Sequence, residues 1–133
     1  MASLTDAQKQ FLDNPYAATI TTLRPDGSPH STVVWMEPLD DGVSFNTARG
    51  RAKDRHLERD GRASMLVVDP DDQYRWVAVS GAAELTEDGA DAQIDRLAKK
   101  YLGADEYPYR NASERRVTVR IRPDHVDSSG FDG

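Results

Sequence analysis

Residues 45–67, FNTARGRAKDRHLERDGRASMLV, carry the end of one strand, a short basic helix and the start of another strand. The runs GVSFNT and RASMLVVD at the two ends are rich in apolar and β-branched residues, which favours strands. Between them, Arg51, Arg55 and Arg59 recur every four residues, a spacing that places them on one face of a helix. The stretch therefore predicts a strand, a helix from Arg51 to Arg59, and a second strand.

Positive charge is concentrated in this stretch although the protein is acidic overall. Residues 46–62 hold six Arg or Lys against three acids, whereas the whole chain has a formal net charge of −6. One interpretation is an anion site, because free backbone N–H groups at a helix start, with basic side chains beside them, bind phosphate or carboxylate. The other is a solvated helix in which Asp54, Glu58 and Asp60 pair with the arginines, for roughly a few tenths of a kcal/mol each.

The remaining elements follow from periodicity and turn residues along the chain. Thr5 and Gln8 form a capping box that opens a helix ending before Pro15. The residues RPDGSP provide a turn between two β-branched runs, which makes a hairpin. Beyond Thr86 apolar residues recur with helical spacing, and Gly103 follows as a C-cap. We predict helices over 5–13, 51–59 and up to 102, and strands over 17–23, 30–38, 42–47, 62–69, 74–85 and 115–123, the last with a short extension over 124–126.

Six strands in meander order, with about three helices around them, define the predicted fold class. The connections are too short for crossover helices, so neighbouring strands should be antiparallel. Closing such a sheet into a barrel removes its exposed edges. The prediction is a mainly β (α+β) protein, a six-stranded antiparallel barrel with about three helices. At 133 residues we expect a single domain over 1–133, with an N-terminal helix within 1–14 and a flexible tail over 128–133.

Composition and spacing exclude several kinds of site. The chain has no cysteine, which excludes disulfides and thiolate chemistry. His30, His56 and His125 lack partners at metal-ligand spacing, so we predict no metal site. Neither a G-x-S-x-G nucleophile elbow nor a glycine-rich nucleotide fingerprint occurs, and no catalytic residue is assigned. An acidic chain without a long apolar run or a signal peptide is expected to bind neither nucleic acid nor a membrane and to be cytoplasmic.

Large aromatic side chains stand on two of the predicted strands. Trp35 lies on one strand, and Tyr74 and Trp76 lie on another, in a chain with ten aromatic residues of the Phe, Tyr and Trp types. Such side chains form a wall against a planar ring in some pockets, and they also fill barrel cores and subunit interfaces. The residues alone leave both interpretations open.

Four segments in their order along the chain carry a family resemblance. TTLRPDGSPHSTVVW, FNTARGRAKDRHLERDGRASMLV, YRWVAVSGAAELT and ERRVTVRIRPDHV together resemble the pyridoxamine 5'-phosphate oxidase-like split β-barrel superfamily. Within it, the chain is most similar to the F420-dependent oxidoreductase branch. The resemblance covers residues 4–127, and its most specific part is RAKDRHLERDGRASMLV.

The resemblance implies a homodimer of split barrels with two equivalent cofactor sites at the interface. In such proteins the second strand of the first hairpin lies under the flavin-type ring, the basic helix holds the cofactor phosphate, and the fifth strand of the partner subunit closes the site. The implied cofactor-binding residues are His30, Ser31, Val33, Val34, Trp35, Asn46, Thr47, Arg51, Lys53 and Arg55, with Tyr74 and Trp76 coming from the partner.

The identity of the cofactor rests on a small difference within the same superfamily. FMN oxidases of the pyridoxamine phosphate type carry an adjacent Arg-Lys pair, whereas this chain has Arg51-Ala52-Lys53, as in the deazaflavin branch. Coenzyme F420 is therefore favoured, with FMN as the alternative. The implied activity is hydride transfer from reduced F420 to an electron-poor conjugated small molecule. An FMN-dependent oxidase or reductase and a non-catalytic F420 carrier are the alternatives, and His30, Tyr74 and water are unranked as the proton donor.

Overall fold

The computed structural model describes residues 2–131, and within them three helices and seven strands follow the predicted order. The fold class is confirmed as a curled antiparallel sheet, a half-barrel, with three helices. The sheet has seven strands instead of the six predicted. The elements are α1 (Asp6–Leu12), β1 (Ala18–Leu23), β2 (Pro29–Val34), β3 (Met36–Leu39), β4 (Gly42–Ala48), α2 (Ala52–Arg59), β5 (Arg62–Asp69), β6 (Asp72–Thr86), α3 (Ala90–Leu102) and β7 (Arg116–Ser129).

The extra strand arises at Trp35, which divides the single strand predicted over 30–38. The sheet order is β2-β1-β5-β6-β7-β4-β3, so β2 and β3 form its two edges. β2 ends at Val34 and β3 begins at Met36. Because consecutive Cα atoms lie about 3.8 Å apart, the two edges must approach each other at Trp35. The sheet thus curls round on itself, and the chain leaves one edge and enters the other within one residue.

The first hairpin forms as its turn residues predict. Gly27 has a φ of 85°, in the region that favours glycine, and its N–H donates to the carbonyl of Arg24 at 2.8 Å. The Asp26 carboxylate accepts from both the backbone N–H and the hydroxyl of Ser28. The register that follows pairs Thr21 with Ser31 and Ala18 with Val34. One face of β1 is buried through Ala18 and Ile20, which fixes which side of the hairpin faces the core.

A bulge lies where the two longest strands pair. Ser80 is opposite His125 and Gly81 is opposite Pro123, so β7 carries one additional residue, Asp124, at this point. A Cβ atom on Gly81 would lie 1.9 Å from the carbonyl oxygen of Arg122, so only glycine fits. The bulge lets β7 continue past Pro123 to Ser129, three residues beyond the extension predicted over 124–126.

Both outer helices begin and end near the predicted residues. The Thr5 hydroxyl accepts from the Gln8 N–H and the Gln8 side chain accepts from the Thr5 N–H, which is the predicted capping box. Helix α3 ends at Gly103, whose φ of 72° makes it the predicted left-handed C-cap. The face of α3 that carries Ile94 and Leu97 is buried, as its periodicity predicts. This helix covers one wall of the barrel beside β4 and β7.

The C-terminal segment is packed along much of its described length. Ser128 and Ser129, the first residues of the expected tail over 128–133, pair with β6, and the Ser128 hydroxyl accepts from Gln8. The ring of Phe131 makes an edge-on contact with Phe11, with centroids 5.2 Å apart. Residues 132 and 133 lie outside the described residues. No helix of residues 2–131 is long and apolar enough to cross a membrane.

Candidate functional site

A cleft of about 270 Å³ opens where β2, β4, the start of α2, α3 and the loop after α3 meet. Seven of the twelve predicted cofactor-binding residues line it, which brings the end of β2 and the basic helix to one place. Its lining comprises Val33, Val34, Trp35, Asn46, Thr47, Arg51, Lys53, Ile94, Leu97, Tyr107, Tyr109 and Arg116.

The acids of the basic stretch are neutralised by residues at its two ends. Arg49 binds Asp54 at 2.9 Å and Glu58 at 2.6 Å, and the Asp54 carboxylate also accepts from the Gly50 N–H at 2.8 Å. Asp60 pairs with Arg62 at 2.8 Å, and these contacts lower the pKa of Asp60 to about 2. The three acids therefore pair with arginines, as the solvated-helix interpretation expects, but with two that flank α2 and not with Arg51, Arg55 or Arg59, whose described partners are other groups.

Lys53 faces the cleft as an ammonium group without a counter-ion. Its Nζ donates to the Thr32 hydroxyl at 3.2 Å, and none of the salt bridges in residues 2–131 involves it. Burial, and then the nearby charge of Arg51, lower the pKa of Lys53 below its ordinary value. A bound anion would stabilise the charged ammonium and raise the pKa of Lys53 again. The uncompensated positive charge therefore favours binding of an anion in the cleft.

The hydroxyl of Thr47 is the second feature that fits an anion. Thr47 is 1% exposed, and its Oγ1 atom is buried without a hydrogen-bond partner among the described residues. Buried polar atoms are almost always hydrogen-bonded, so an exception in a cleft wall suits a ligand oxygen. Helix α2 adds its N-terminal end beside this position, where Arg51 is the N-cap and makes no side-chain capping bond.

Asn46 lies in the cleft wall, but its amide is occupied by protein groups. Its Nδ2 donates to the Ala90 carbonyl at 2.9 Å and to Gln93 Oε1 at 3.0 Å. Its Oδ1 accepts from Arg116 Nε at 2.8 Å. The side chain that presents charge to the cleft at this point is therefore Arg116, which the sequence interpretation did not include.

An aromatic rim borders the cleft on its other side. Trp35 stacks on Tyr101 with centroids 5.5 Å apart and meets Tyr107 edge-on at 6.2 Å. Tyr107 in turn contacts Tyr109, which is 68% exposed. The loop that carries these tyrosines is anchored by Asp95, whose carboxylate accepts from the Tyr107 N–H at 2.9 Å. Tyr107 and Tyr109 were missed, and the only signal for them was a YPY triplet in a segment without periodicity.

The other five predicted residues lie away from the cleft. Arg55 donates to the Gly50 carbonyl at 2.6 Å on the exposed side of α2. Ser31 bonds Thr21 on the outer face of the hairpin, whereas His30 points to the opposite face beside His56, with ring centroids 5.1 Å apart. The remaining two, expected from a partner subunit, are Tyr74 and Trp76 on β6.

The outer surface of β1, β5 and β6 forms a second concave region, which we call the outer sheet face. It is lined by Thr19, Thr21, Ser64, Leu66, Val68, Trp76 and Ala78. Val33 and Tyr74 stand beside it and are 70% and 71% exposed. Apolar side chains are exposed on this face because successive side chains of a strand point to opposite sides. Met65 and Val67 point into the core, and Leu66 and Val68 point outward.

The sequence that forms this barrel and cleft matches a known family. Residues 4–130 match the family model described as pyridoxamine 5'-phosphate oxidase. The chain belongs to the pyridoxamine 5'-phosphate oxidase family. This assignment confirms the predicted superfamily, and it covers every element from α1 to β7.

Two of the proteins that resemble this chain are named for F420. The F420H2-dependent biliverdin reductase of Mycobacterium tuberculosis is 30% identical over 126 residues, which are 92% of this chain and 86% of that protein. A solved structure named F420 reductase has a TM-score of 0.81 at 28% identity, and the match covers 93% of this chain and 98% of the other. The predicted similarity to the F420-dependent branch is thereby confirmed.

A pyridoxine/pyridoxamine 5'-phosphate oxidase of Azorhizobium caulinodans is also similar. It is 37% identical over 91 residues, which are 67% of this chain but 42% of that enzyme. The chain therefore spans less than half the length of this relative, in contrast to its near-complete match to the biliverdin reductase.

Proposed function

We propose that the protein is an F420H2-dependent reductase that transfers a hydride to an electron-poor conjugated small molecule. The observation that carries the proposal is the Lys53 ammonium, which has no carboxylate partner within residues 2–131, in a cleft whose wall also holds the Thr47 hydroxyl, unsatisfied by the same residues. Both groups suit a phosphate-bearing cofactor. Similarity over most of the chain to an F420H2-dependent biliverdin reductase supports F420 as that cofactor.

The side chains of the cleft have distinct tasks in this proposal. Arg51, Lys53 and the Thr47 hydroxyl hold the phosphate at the start of α2. Val33, Val34 and Trp35 provide an apolar wall for the ring and exclude water from it. Bound F420H2 supplies the hydride from its ring, and the protein supplies binding and orientation.

The hydride acceptor is proposed at the level of its chemical class. The relative from Mycobacterium tuberculosis is named for biliverdin, a conjugated molecule, and the cleft beside Trp35 and Tyr107 offers flat surfaces suited to such compounds. No residue of the cleft is assigned as the proton donor. We also propose a cytoplasmic location, where the cysteine-free composition is suitable.

A homodimer that shares the cofactor site is part of the proposal. The outer sheet face presents Leu66 and Val68 to solvent, 38% and 37% exposed, and its residue Thr19 is paired with Val33, which lines the cleft. Contiguous exposed apolar surface of this kind is typical of protein interfaces. A second copy docked here would bring its own Tyr74 and Trp76 close to the cleft, which is the arrangement expected from the family resemblance.

Titration of the purified protein with F420 and, separately, with FMN tests the function. Quenching of the fluorescence of Trp35 and Trp76 reports binding, and oxidation of F420H2 in the presence of conjugated acceptors reports turnover. Tight binding of F420 with turnover supports the reductase. Selective FMN binding would favour the FMN-dependent alternative, to which the Azorhizobium relative points. Tight F420 binding with no oxidation across a broad acceptor panel would indicate a carrier.

A further inference from the structure

Arg116 is a buried cation that lines the cleft. It is 9% exposed and lies at the first position of β7, opposite Ala48 at the end of β4. Its guanidinium carbon is 5.4 Å from the centroid of the Tyr107 ring. It also lines an adjoining cavity that contains Arg110 and Glu114, so it stands where the two cavities meet.

A polar network fixes the position of this guanidinium. Nε donates to Asn46 Oδ1, and Asn46 is itself held by the Ala90 carbonyl and by Gln93. Gln93 is 1% exposed and continues the network by donating to the Ser44 hydroxyl at 2.6 Å. Residues of strand β4 and helix α3 therefore fix the orientation of the Arg116 side chain, and this orientation does not depend on a ligand.

The charge of Arg116 is only partly compensated. Nη1 lies 3.4 Å from Glu114, and the same carboxylate makes a closer contact with Arg51. Lys53, in the same cleft, has no carboxylate partner among residues 2–131. Among these three cations of the cleft, Arg51 and Arg116 thus share one acid, Glu114, and Lys53 contacts none in the described residues. A guanidinium can make two parallel hydrogen bonds to a carboxylate or phosphate, and Arg116 uses only Nε and Nη1 in its contacts with described residues.

We propose that Arg116 is a further anion-binding residue of the cleft, that Asn46 positions it, and that Glu114 binds its guanidinium until an anionic ligand enters. The ligand group is an oxyanion, a carboxylate or phosphate, carried either by the coenzyme tail or by the hydride acceptor. The inference rests on the proposed function for the identity of that carrier, but the oxyanion site itself follows from the contacts of Arg116.

Inorganic pyrophosphate probes the site without any coenzyme. Thermal unfolding of the full chain is followed as pyrophosphate is added, for the parent, Arg116→Gln, Arg116→Lys and Glu114→Gln. Arg120→Gln removes the same charge from an exposed position on the same strand and is the control. We expect pyrophosphate affinity to fall at least tenfold in Arg116→Gln, to be partly retained in Arg116→Lys, to rise in Glu114→Gln and to be unchanged in Arg120→Gln.

A structural role alone would lower the stability of Arg116→Gln without these opposite effects on affinity. Equal pyrophosphate affinity in the parent and Arg116→Gln, or no affinity in the parent, would overturn the inference. Failure of the parent to bind F420 and FMN would overturn the proposed function instead, and the pyrophosphate result would still stand.

Two further measurements locate the oxyanion. If it belongs to the coenzyme, Arg116→Gln weakens F420 binding but leaves binding of the F420 fragment that lacks the phosphate and glutamyl groups unchanged. If it belongs to the acceptor, the variant raises KM for a carboxylated acceptor such as biliverdin and leaves KM for menadione, a neutral quinone, unchanged. An Asn46→Ser variant should show the same selectivity in weaker form. If Arg116→Gln changes neither F420 binding nor KM for biliverdin, the assignment of Arg116 to the site is wrong.

Discussion

Lys53 is the side chain on which the proposed phosphate site depends most directly. Its ammonium group is half-buried, bonds one hydroxyl and has a lowered pKa because burial disfavours its charge. Lys53→Glu replaces an attractive charge by a repulsive one, and we expect F420 binding to weaken by more than about 1.4 kcal/mol, which is tenfold in affinity. Lys99→Glu makes the same change on the exposed side of α3 and should bind normally in the fluorescence titration. Equal dissociation constants for Lys53→Glu and the parent would remove Lys53 from the site.

His56 makes the attachment of α2 to the barrel sensitive to pH. It is 7% exposed, and its Nδ1 lies 2.8 Å from the Thr22 hydroxyl. Burial, then the neighbouring charge of His30 and nearby arginines, lower the pKa of His56 below 6.5. As pH falls through 6.5, the unfolded chain binds a proton that native His56 does not, so the free energy of unfolding decreases.

Urea unfolding at pH 7.5 and 5.5 checks this expectation. The loss of stability on acidification should be smaller in His56→Asn than in the parent, because that variant lacks the group responsible. His125→Asn, which removes an exposed histidine from β7, should lose as much stability as the parent. An identical acid-induced loss in all three proteins would show that His56 does not contribute.

At the level of the element, the β6–β7 pair depends on the glycine at its bulge. A Cβ on Gly81 would lie 1.9 Å from the Arg122 carbonyl oxygen and 2.9 Å from the Asp124 nitrogen, both of them backbone atoms. We expect Gly81→Ala to destabilise the protein by about 1–3 kcal/mol, because the two strands must separate. Gly61→Ala, where the nearest atom would be 3.6 Å away, is the control. A Gly81→Ala variant as stable as Gly61→Ala in chemical denaturation would contradict this account of the bulge.

Local signals in the sequence were sufficient for most elements but not for two strand boundaries. The capping box at Thr5 and the C-cap at Gly103 act within one turn, so the sequence alone predicted them. The break at Trp35 was missed because it depends on how far the whole sheet curls. The length of β7 past Pro123 was underestimated, because a short extension over 124–126 was predicted, whereas pairing with β6 beyond the bulge at Gly81 continues the strand to Ser129.

Residues of the candidate site that belong to one sequence motif could be predicted, whereas a residue placed there by tertiary contacts could not. Thr47, Arg51 and Lys53 lie in one contiguous basic stretch, and the structure brings all three to the cleft. Arg116 is distant in sequence and looked like one of several arginines on the polar face of an alternating strand. Its burial at the cleft depends on contacts between distant parts of the chain, such as its hydrogen bond to Asn46.

At the scale of the whole molecule, the cleft is open on the side next to the outer sheet face. Val33 joins the two regions, since it lines the cleft and is paired with Thr19, a residue of the outer sheet face. A chain with exposed apolar residues at the mouth of its own site buries them most simply against a second copy, and a two-fold interface uses the same surface on both subunits. Assembly and cofactor binding should therefore be lost together.

Leu66→Asp tests that coupling. Leu66 is 38% exposed at the centre of the outer sheet face, so a carboxylate there costs the isolated chain little but would be buried without a partner in a dimer. We expect light scattering to give twice 14.8 kDa for the parent and 14.8 kDa for Leu66→Asp, with F420 binding abolished in the variant. Leu102→Asp introduces the same charge at an exposed leucine on α3 and should remain a dimer that binds F420. A Leu66→Asp protein that stays dimeric would place the interface elsewhere, and a monomeric parent that binds F420 with full affinity would show that one chain forms the complete site.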